Sequence, residues 1–152
     1  MAEIIHRVGI QATREKVFRA LSTIEGLAGW WTVNTRGVSA VGKAITFQFR
    51  NPTGDTIGEF EMEVVKQEPS KGVQWKCVKG PTEWIGTEIT FDLKQENEFT
   101  IVLFGHRKWK DAVEFTAHCS TKWAMFLMSL KDLIETGKGK PAPRDIKIDN
   151  WN

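Results

Sequence analysis

The chain has 152 residues, with 21 Lys and Arg against 19 Asp and Glu and a formal net charge of +2, too balanced for the electrostatic footprint of a nucleic-acid binder. At this length a single domain buries roughly 68–70% of the surface its unfolded chain exposes, so the fold needs no disulfide or metal staple. There are seven Trp, nine Phe and no Tyr; the two cysteines allow at most one bridge and no N-terminal apolar run marks a signal peptide or membrane span, so the expected setting is a reducing cytoplasm.

From Glu3 to Gln11, Ile4, His6, Val8 and Ile10 fall on one face at period two, which predicts a strand. Thr13 offers a capping hydroxyl, with Lys16 standing where a full capping box would place Glu or Gln. Val17, Phe18 and Leu21 then form a short amphipathic face, and a helix is expected from Arg14 to Ser22. Glu25 to Trp31 reads as a second short helix or turn, weakened by Gly26 and Gly29.

A short strand is expected over Val33 to Ser39, and from there the period is two. Ile45, Phe47 and Phe49 share one face, and Asn51 to Gly54 supply turn chemistry. Phe60, Met62 and Val64 share the next apolar face, opposite Glu59, Glu61 and Glu63, which are expected to face solvent. Val73, Trp75 and Cys77 follow, then Ile85, Thr87, Ile89, Phe91 and Leu93. The stretch from Phe99 to Arg107 is apolar on both faces, as expected for a central or strongly curved strand. About seven strands result, six of them consecutive after the helical insertion, which implies an antiparallel meander.

Ser120 to Gly139 predicts one long helix, with Trp123, Phe126, Leu127, Leu130, Leu133 and Ile134 within an arc of roughly 120°. It is the main partner available to cover the sheet. Met125 and Met128 are expected on its outer, solvated face among Lys122, Ser129, Asp132 and Glu135. Residues 137–152 form an extended tail, and the spacing of Ile146, Ile148 and Trp151 predicts that it packs back on the body. The whole, 1–152, is read as a single α+β domain.

The order of strand, two short helices, antiparallel sheet and long C-terminal helix resembles the helix-grip fold of the SRPBCC superfamily, which includes START domains and the birch-pollen allergen. Within it, the chain most resembles proteins related to the C-terminal domain of the activator of heat-shock protein 90 ATPase. The resemblance rests on Ile10 to Leu21, on Gly29-Trp30-Trp31-Thr32, on Val41-Gly42 before a Phe-rich strand, and on His118 to Trp123 running through Ser129-Leu130-Lys131 to Pro141. It implies a curved sheet wrapped around the C-terminal helix, and a range of functions: hydrophobic-ligand carrier, polyketide cyclase or dehydratase, or chaperone activator.

No nucleophile elbow, phosphate-binding loop or His-Glu-x-x-His helix is present in the sequence. His6, Cys77, His106, His118 and Cys119 lack metal-ligand spacing, and neither metal nor cofactor is expected. Arg107, Lys108 and Lys110 read as a solvated strand end. His106 is the one weak acid–base candidate, placed to look toward a cavity mouth or to bond a carbonyl or water at a strand end. His118 is expected at the entry of the long helix, near its first-turn N–H groups.

The bulky residues available between sheet and helix are Trp30 and Trp31 from the helical insertion, and Phe47, Phe49, Phe60, Met62 and Trp75 from the first strands of the sheet. Trp84, Phe91, Phe104, His106 and Trp109 follow, facing Trp123, Phe126, Leu127 and Leu130 of the helix. They either line a pocket for a flat, largely apolar ligand or fill the gap outright. The leading expectation is a binding protein for a small hydrophobic or aromatic ligand, monomeric or homodimeric, with no nucleic-acid or membrane partner. The alternatives are a chaperone-interacting module and a cyclase-like enzyme using His106.

Overall fold

Alternating apolar residues dictate most of the architecture. The computed structural model describes residues 2–152. Strand β1 (Ala2–Ile10) leads into helices α1 (Arg14–Ser22) and α2 (Ile24–Trp30), then into β2 (Asn34–Gly37), β3 (Ala44–Arg50), β4 (Thr56–Glu68), β5 (Gly72–Lys79), β6 (Glu88–Glu96) and β7 (Phe99–Trp109), and finally into the long helix α3 (Glu114–Thr136). The seven strands form one antiparallel sheet in the order β1-β7-β6-β5-β4-β3-β2. β2 to β7 are a meander, and β1 closes against the last strand.

Register places large apolar residues opposite one another. Phe47 pairs with Phe60, Phe91 with Phe104 and Val8 with Val102. Ring centroids of Phe91 and Phe104 lie 5.2 Å apart at 66°, the edge-to-face geometry that adds to simple burial. Two register shifts in β4, at Glu61/Met62 and Val64/Lys66, bend this long strand as bulges do and curl the sheet around α3.

Helix α1 begins where Thr13 accepts the Lys16 N–H at 3.1 Å, and α2 where Thr23 accepts that of Gly26 at 3.0 Å. Helix α3 lies in the concavity and buries Trp123, Phe126, Leu127, Leu130 and Ile134, each worth about 1.5–3 kcal/mol if fully removed from water. Its far end is tied to β1: Lys131 Nζ donates to the Gly9 carbonyl, and Glu135 accepts the Gln11 N–H at 2.7 Å.

Three expectations need correction. The long helix starts six residues before Ser120, because the Val113 N–H donates to Thr116 Oγ1 at 3.1 Å and so caps a start that carries no Ser, Thr or Asp at the cap position itself. His118 is therefore inside the helix rather than at its entry. The strand expected from Ile85 begins at Glu88; residues 81–87 fold into turns in which Trp84 N–H donates to Pro81 O and Thr87 N–H to Trp84 O, leaving Ile85 exposed. Lys122 and Ser129 are not on a solvated face: they are 9% and 3% exposed, whereas Met128 is 45% exposed.

The cover is the tail. Gly137, at φ 88°, stops α3 in the left-handed conformation that favours glycine, and residues 137–152 turn back across the helix. A Cβ at Gly139 would meet the Gly29 carbonyl and lie 2.9 Å from the Ser129 carbonyl, so only glycine admits this crossing. Lys140 N–H donates to Ser129 Oγ at 2.7 Å. Ala142 bridges Thr32, with its N–H donating to Trp31 O at 2.8 Å and its carbonyl accepting from Val33 at 3.1 Å. The tail does pack back, but through Ala142 and the buried Asp145; Ile146 and Trp151 each stay 47% exposed.

Candidate functional site

Much of the gap between sheet and helix is solid. Trp30, Phe47, Trp75, Phe91 and Phe104 are at most 1% exposed, as are Met62, Leu127 and Leu130. Trp75 packs near-parallel to Trp31 at 5.8 Å and edge-on to Phe91 at 5.2 Å. The Trp30 indole donates to the Ala20 carbonyl at 3.0 Å. The indole N–H groups of Trp75 and Trp109 have no partner. His106 and Trp109 also lie in this packed interior, so these residues give the cleft its backing and not its surface.

One cleft of about 180 Å³ remains, between the first half of α3, the ends of β3 and β4, the 81–87 turn and the tail. Of the residues expected to face a ligand, Trp31, Phe49, Phe60, Trp84, Trp123 and Phe126 line it. Four of these rings close a circuit. Trp31 lies 6.3 Å from Phe60 at 9°, Phe60 4.3 Å from Trp84 at 22°, Trp84 5.9 Å from Trp123 at 18°, and Trp123 5.0 Å from Trp31 at 33°. Three of the four contacts are near-parallel and the fourth is tilted, so the rings brace one another and turn a small apolar area toward the cleft.

The circuit is held by a directed hydrogen-bond chain. The Trp123 indole can only donate, so His106 Nδ1, 3.1 Å away, accepts. The neutral ring then carries its hydrogen on Nε2 and donates to Thr87 Oγ1 at 2.8 Å. Thr87 Oγ1 passes its own hydrogen to the Trp84 carbonyl at 2.6 Å, and the Trp84 indole donates to Cys119 Sγ at 3.4 Å. His106 is 0% exposed, and burial lowers its pKa to about 3. With both nitrogens engaged and no exposure, it positions the Trp123 indole directly and, through Thr87, the turn that carries Trp84, and offers no free nitrogen to the cleft. Burial likewise raises the Cys119 thiol to about 12 and that of Cys77 to about 11, so neither is a thiolate near neutrality.

The cleft's remaining wall contains residues outside the expected set. Cys119 and Lys122 come from α3, and Asp145, Trp151 and Asn152 from the tail. Lys122 Nζ donates to Asp145 Oδ2 and, at 2.8 Å, to the Ile146 carbonyl, and sits 5.0 Å from the Phe126 ring centroid. Asp145 Oδ1 also pairs with Lys147 at 3.2 Å. His118 Nδ1 lies 2.7 Å from Asp149 Oδ2, a contact that holds the Asp149 carboxyl below its usual range. Polar residues of a helix give no periodic signal when a tail covers them. The one hint in the sequence was the apolar spacing of the tail itself.

Among the described residues no three His, Cys, Asp or Glu side chains converge on a metal site. No helix of the described residues is long and apolar enough to cross a membrane.

The fold recurs in known proteins. The profile of the family described as "Activator of Hsp90 ATPase homolog 1-like protein" matches residues 11–135. The chain is similar to the Aha1 dimer of Colwellia psychrerythraea, solved in solution, at 44% identity over 91% of this chain and 100% of that one, with a TM-score of 0.82. It shares its fold with SSP2350 of Staphylococcus saprophyticus, at 22% identity over 91% and 95% of the two chains with a TM-score of 0.73. MLL2253 of Mesorhizobium loti shares it too, at 19% identity over 88% and 97% with a TM-score of 0.73. Comparison with curated proteins finds no match.

Proposed function

The chain belongs to the Activator of Hsp90 ATPase homolog 1-like family, and from that premise we propose that it binds a small, flat, largely apolar ligand, about one aromatic ring in size, in the cleft beside α3. The observation that carries this reading is a cleft of about 180 Å³ floored by near-parallel aromatic rings next to an otherwise filled core. An apolar cavity of about 150 Å³ is large enough to take benzene, whereas drug-sized ligands need roughly 300–1,000 Å³. The cleft therefore selects single rings and indoles over long-chain lipids and polycyclic molecules. The unreactive thiols and the fully engaged His106 favour binding over turnover. Two free buried cysteines accord with a cytoplasmic setting.

The test is a thermal-shift and NMR titration of the full chain with phenol, indole and a long-chain fatty acid. Ligand at about 100 times its dissociation constant stabilises by about 2.7 kcal/mol. The reading expects phenol or indole to raise the melting temperature and to move Trp31, Trp84 and Trp123 resonances. It fails if all three leave both unchanged at millimolar concentration.

A second reading has its own support. The family's description names an activator of Hsp90 ATPase, and the chain is 44% identical to a protein described as an Aha1 dimer. On this reading the chain docks on a heat-shock 90 chaperone through its surface, as a monomer or a homodimer. Sedimentation of the purified chain alone and with the chaperone, with the chaperone's ATPase rate measured alongside, tests both features.

A further inference from the structure

Lys122 is a buried cation on the wall of an apolar cleft, and its counter-ion, Asp145, comes from the tail that forms part of the same wall. Such a cation beside a ring-sized apolar slot is the arrangement that recognises an anionic group attached to a ring. We propose that the cleft takes an aromatic carboxylate whose acid group replaces Asp145 on Lys122, so that Asp145 is a built-in stand-in for the ligand's carboxylate and the tail is its competitor. This rests on the ligand-binding reading above and names the ligand class for that site.

The exchange leaves no charge stranded. Lys122 trades one carboxylate for another, and Asp145 keeps Lys147, whose side chain is 43% exposed and 3.2 Å from Oδ1. Asp149, the other tail carboxylate near this face, is held by His118. The segment that would have to move is held by the Lys122 bond to the Ile146 carbonyl and, further on, by Trp151 against Phe115 and His118, while Ile146 and Trp151 each stay 47% exposed. The backbone bonds of Ala142 to Trp31 and Val33 upstream and the His118–Asp149 contact downstream are two fixed points between which residues 143–148 can shift. A cationic ligand would meet Lys122, and a neutral ring would enter without displacing Asp145. The site thus separates ring acids from their neutral isosteres by coupling only the former to tail release.

The experiment compares benzoate with benzamide by NMR titration and calorimetry on the full chain, in wild type, Asp145→Asn and Lys122→Met. Asp145→Asn is expected to bind benzoate at least about tenfold more tightly than wild type while benzamide changes less than about twofold; Lys122→Met is expected to lose the preference for benzoate. In wild type itself, which needs no altered protein to fold, benzoate is expected to shift the backbone amides of residues 145–148 and benzamide to leave them in place. Benzamide binding with no gain for benzoate in Asp145→Asn, or equal gains for both, overturns this inference and leaves the ligand-binding reading standing. Absence of benzoate, benzamide, phenol and indole binding in every form overturns both.

Discussion

The Trp123 indole N–H donates to His106 Nδ1 at 3.1 Å in an interior where neither residue exceeds 2% exposure. This bond ties α3 to β7, and through Thr87 the same imidazole reaches the turn that carries Trp84. Two of the rings that floor the cleft are thus set by one neutral histidine. Its neutrality is enforced twice: by desolvation, and by a donor-only neighbour that a protonated Nδ1 would repel.

Acid should expose this dependence. Burial lowers the folded-state pKa of His106 to about 3 from the ordinary imidazole value of 6.5, so between those values the unfolded chain binds the extra proton and the folded one does not. Its contribution is complete above about pH 6.5 and declines as pH falls toward 3, on the order of 5 kcal/mol in all. Urea unfolding of wild type is expected to lose stability progressively across that window. In His106→Gln, whose amide can accept from Trp123 and donate to Thr87 without titrating, the slope should flatten. An unchanged slope would mean that other groups set the acid limit.

The unpaired indoles make a second comparison. Trp30 and Trp75 are both fully buried, but only the Trp30 N–H has an acceptor, the Ala20 carbonyl. Replacement by Phe removes similar ring volume at each site. At position 30 it also leaves that carbonyl short of a partner, while at position 75 it removes a donor already unsatisfied. Trp30→Phe should therefore cost about 1 kcal/mol more than Trp75→Phe in denaturant unfolding.

The sheet was legible because each strand repeats a local rule: Ile45, Phe47 and Phe49 alternate and are buried, as are Val73, Trp75 and Cys77. The rule failed at Ile85, where a turn held by backbone bonds to Pro81 and Trp84 interrupts an alternation that looks continuous in the sequence. The floor of the cleft was legible for the same reason as the core, since Trp31, Trp84 and Trp123 are large and apolar. Its wall was not. Lys122 and Asp145 are charged residues whose burial depends on a tail crossing far along the chain, and periodicity records which faces are apolar, never which polar faces another segment covers.

Thiol chemistry reports on the same wall. Cys119 lines the cleft yet is 4% exposed, with its thiol raised to about 12; Cys77 is fully buried and raised to about 11. A disulfide reagent at pH 8 should react with both only on opening of the fold, at rates far below those of the unfolded chain. A ring bound in the cleft should slow Cys119 further than Cys77. Immediate labelling of Cys119 in the native protein would show a cleft wider than the present geometry.

The Lys122 and Asp145 pair predicts an asymmetric double-mutant cycle. Their side chains are 11% and 3% exposed, a setting where removing one partner of an ion pair typically costs about 3–5 kcal/mol because the other charge is left buried. Here the consequences differ. Without Lys122, Asp145 still has Lys147 at 3.2 Å; without the Asp145 charge, Lys122 keeps only the Ile146 carbonyl and the Phe126 ring. Asp145→Asn should therefore destabilise more than Lys122→Met, and the two together should cost less than their sum, with a coupling of about 1–3 kcal/mol. Unfolding curves for the four proteins, with amide exchange along residues 140–152 to separate tail release from global unfolding, decide it. Strict additivity would mean that the pair contributes no coupling and that the tail is held by its other bonds, those of Lys140, Ala142 and Asp149.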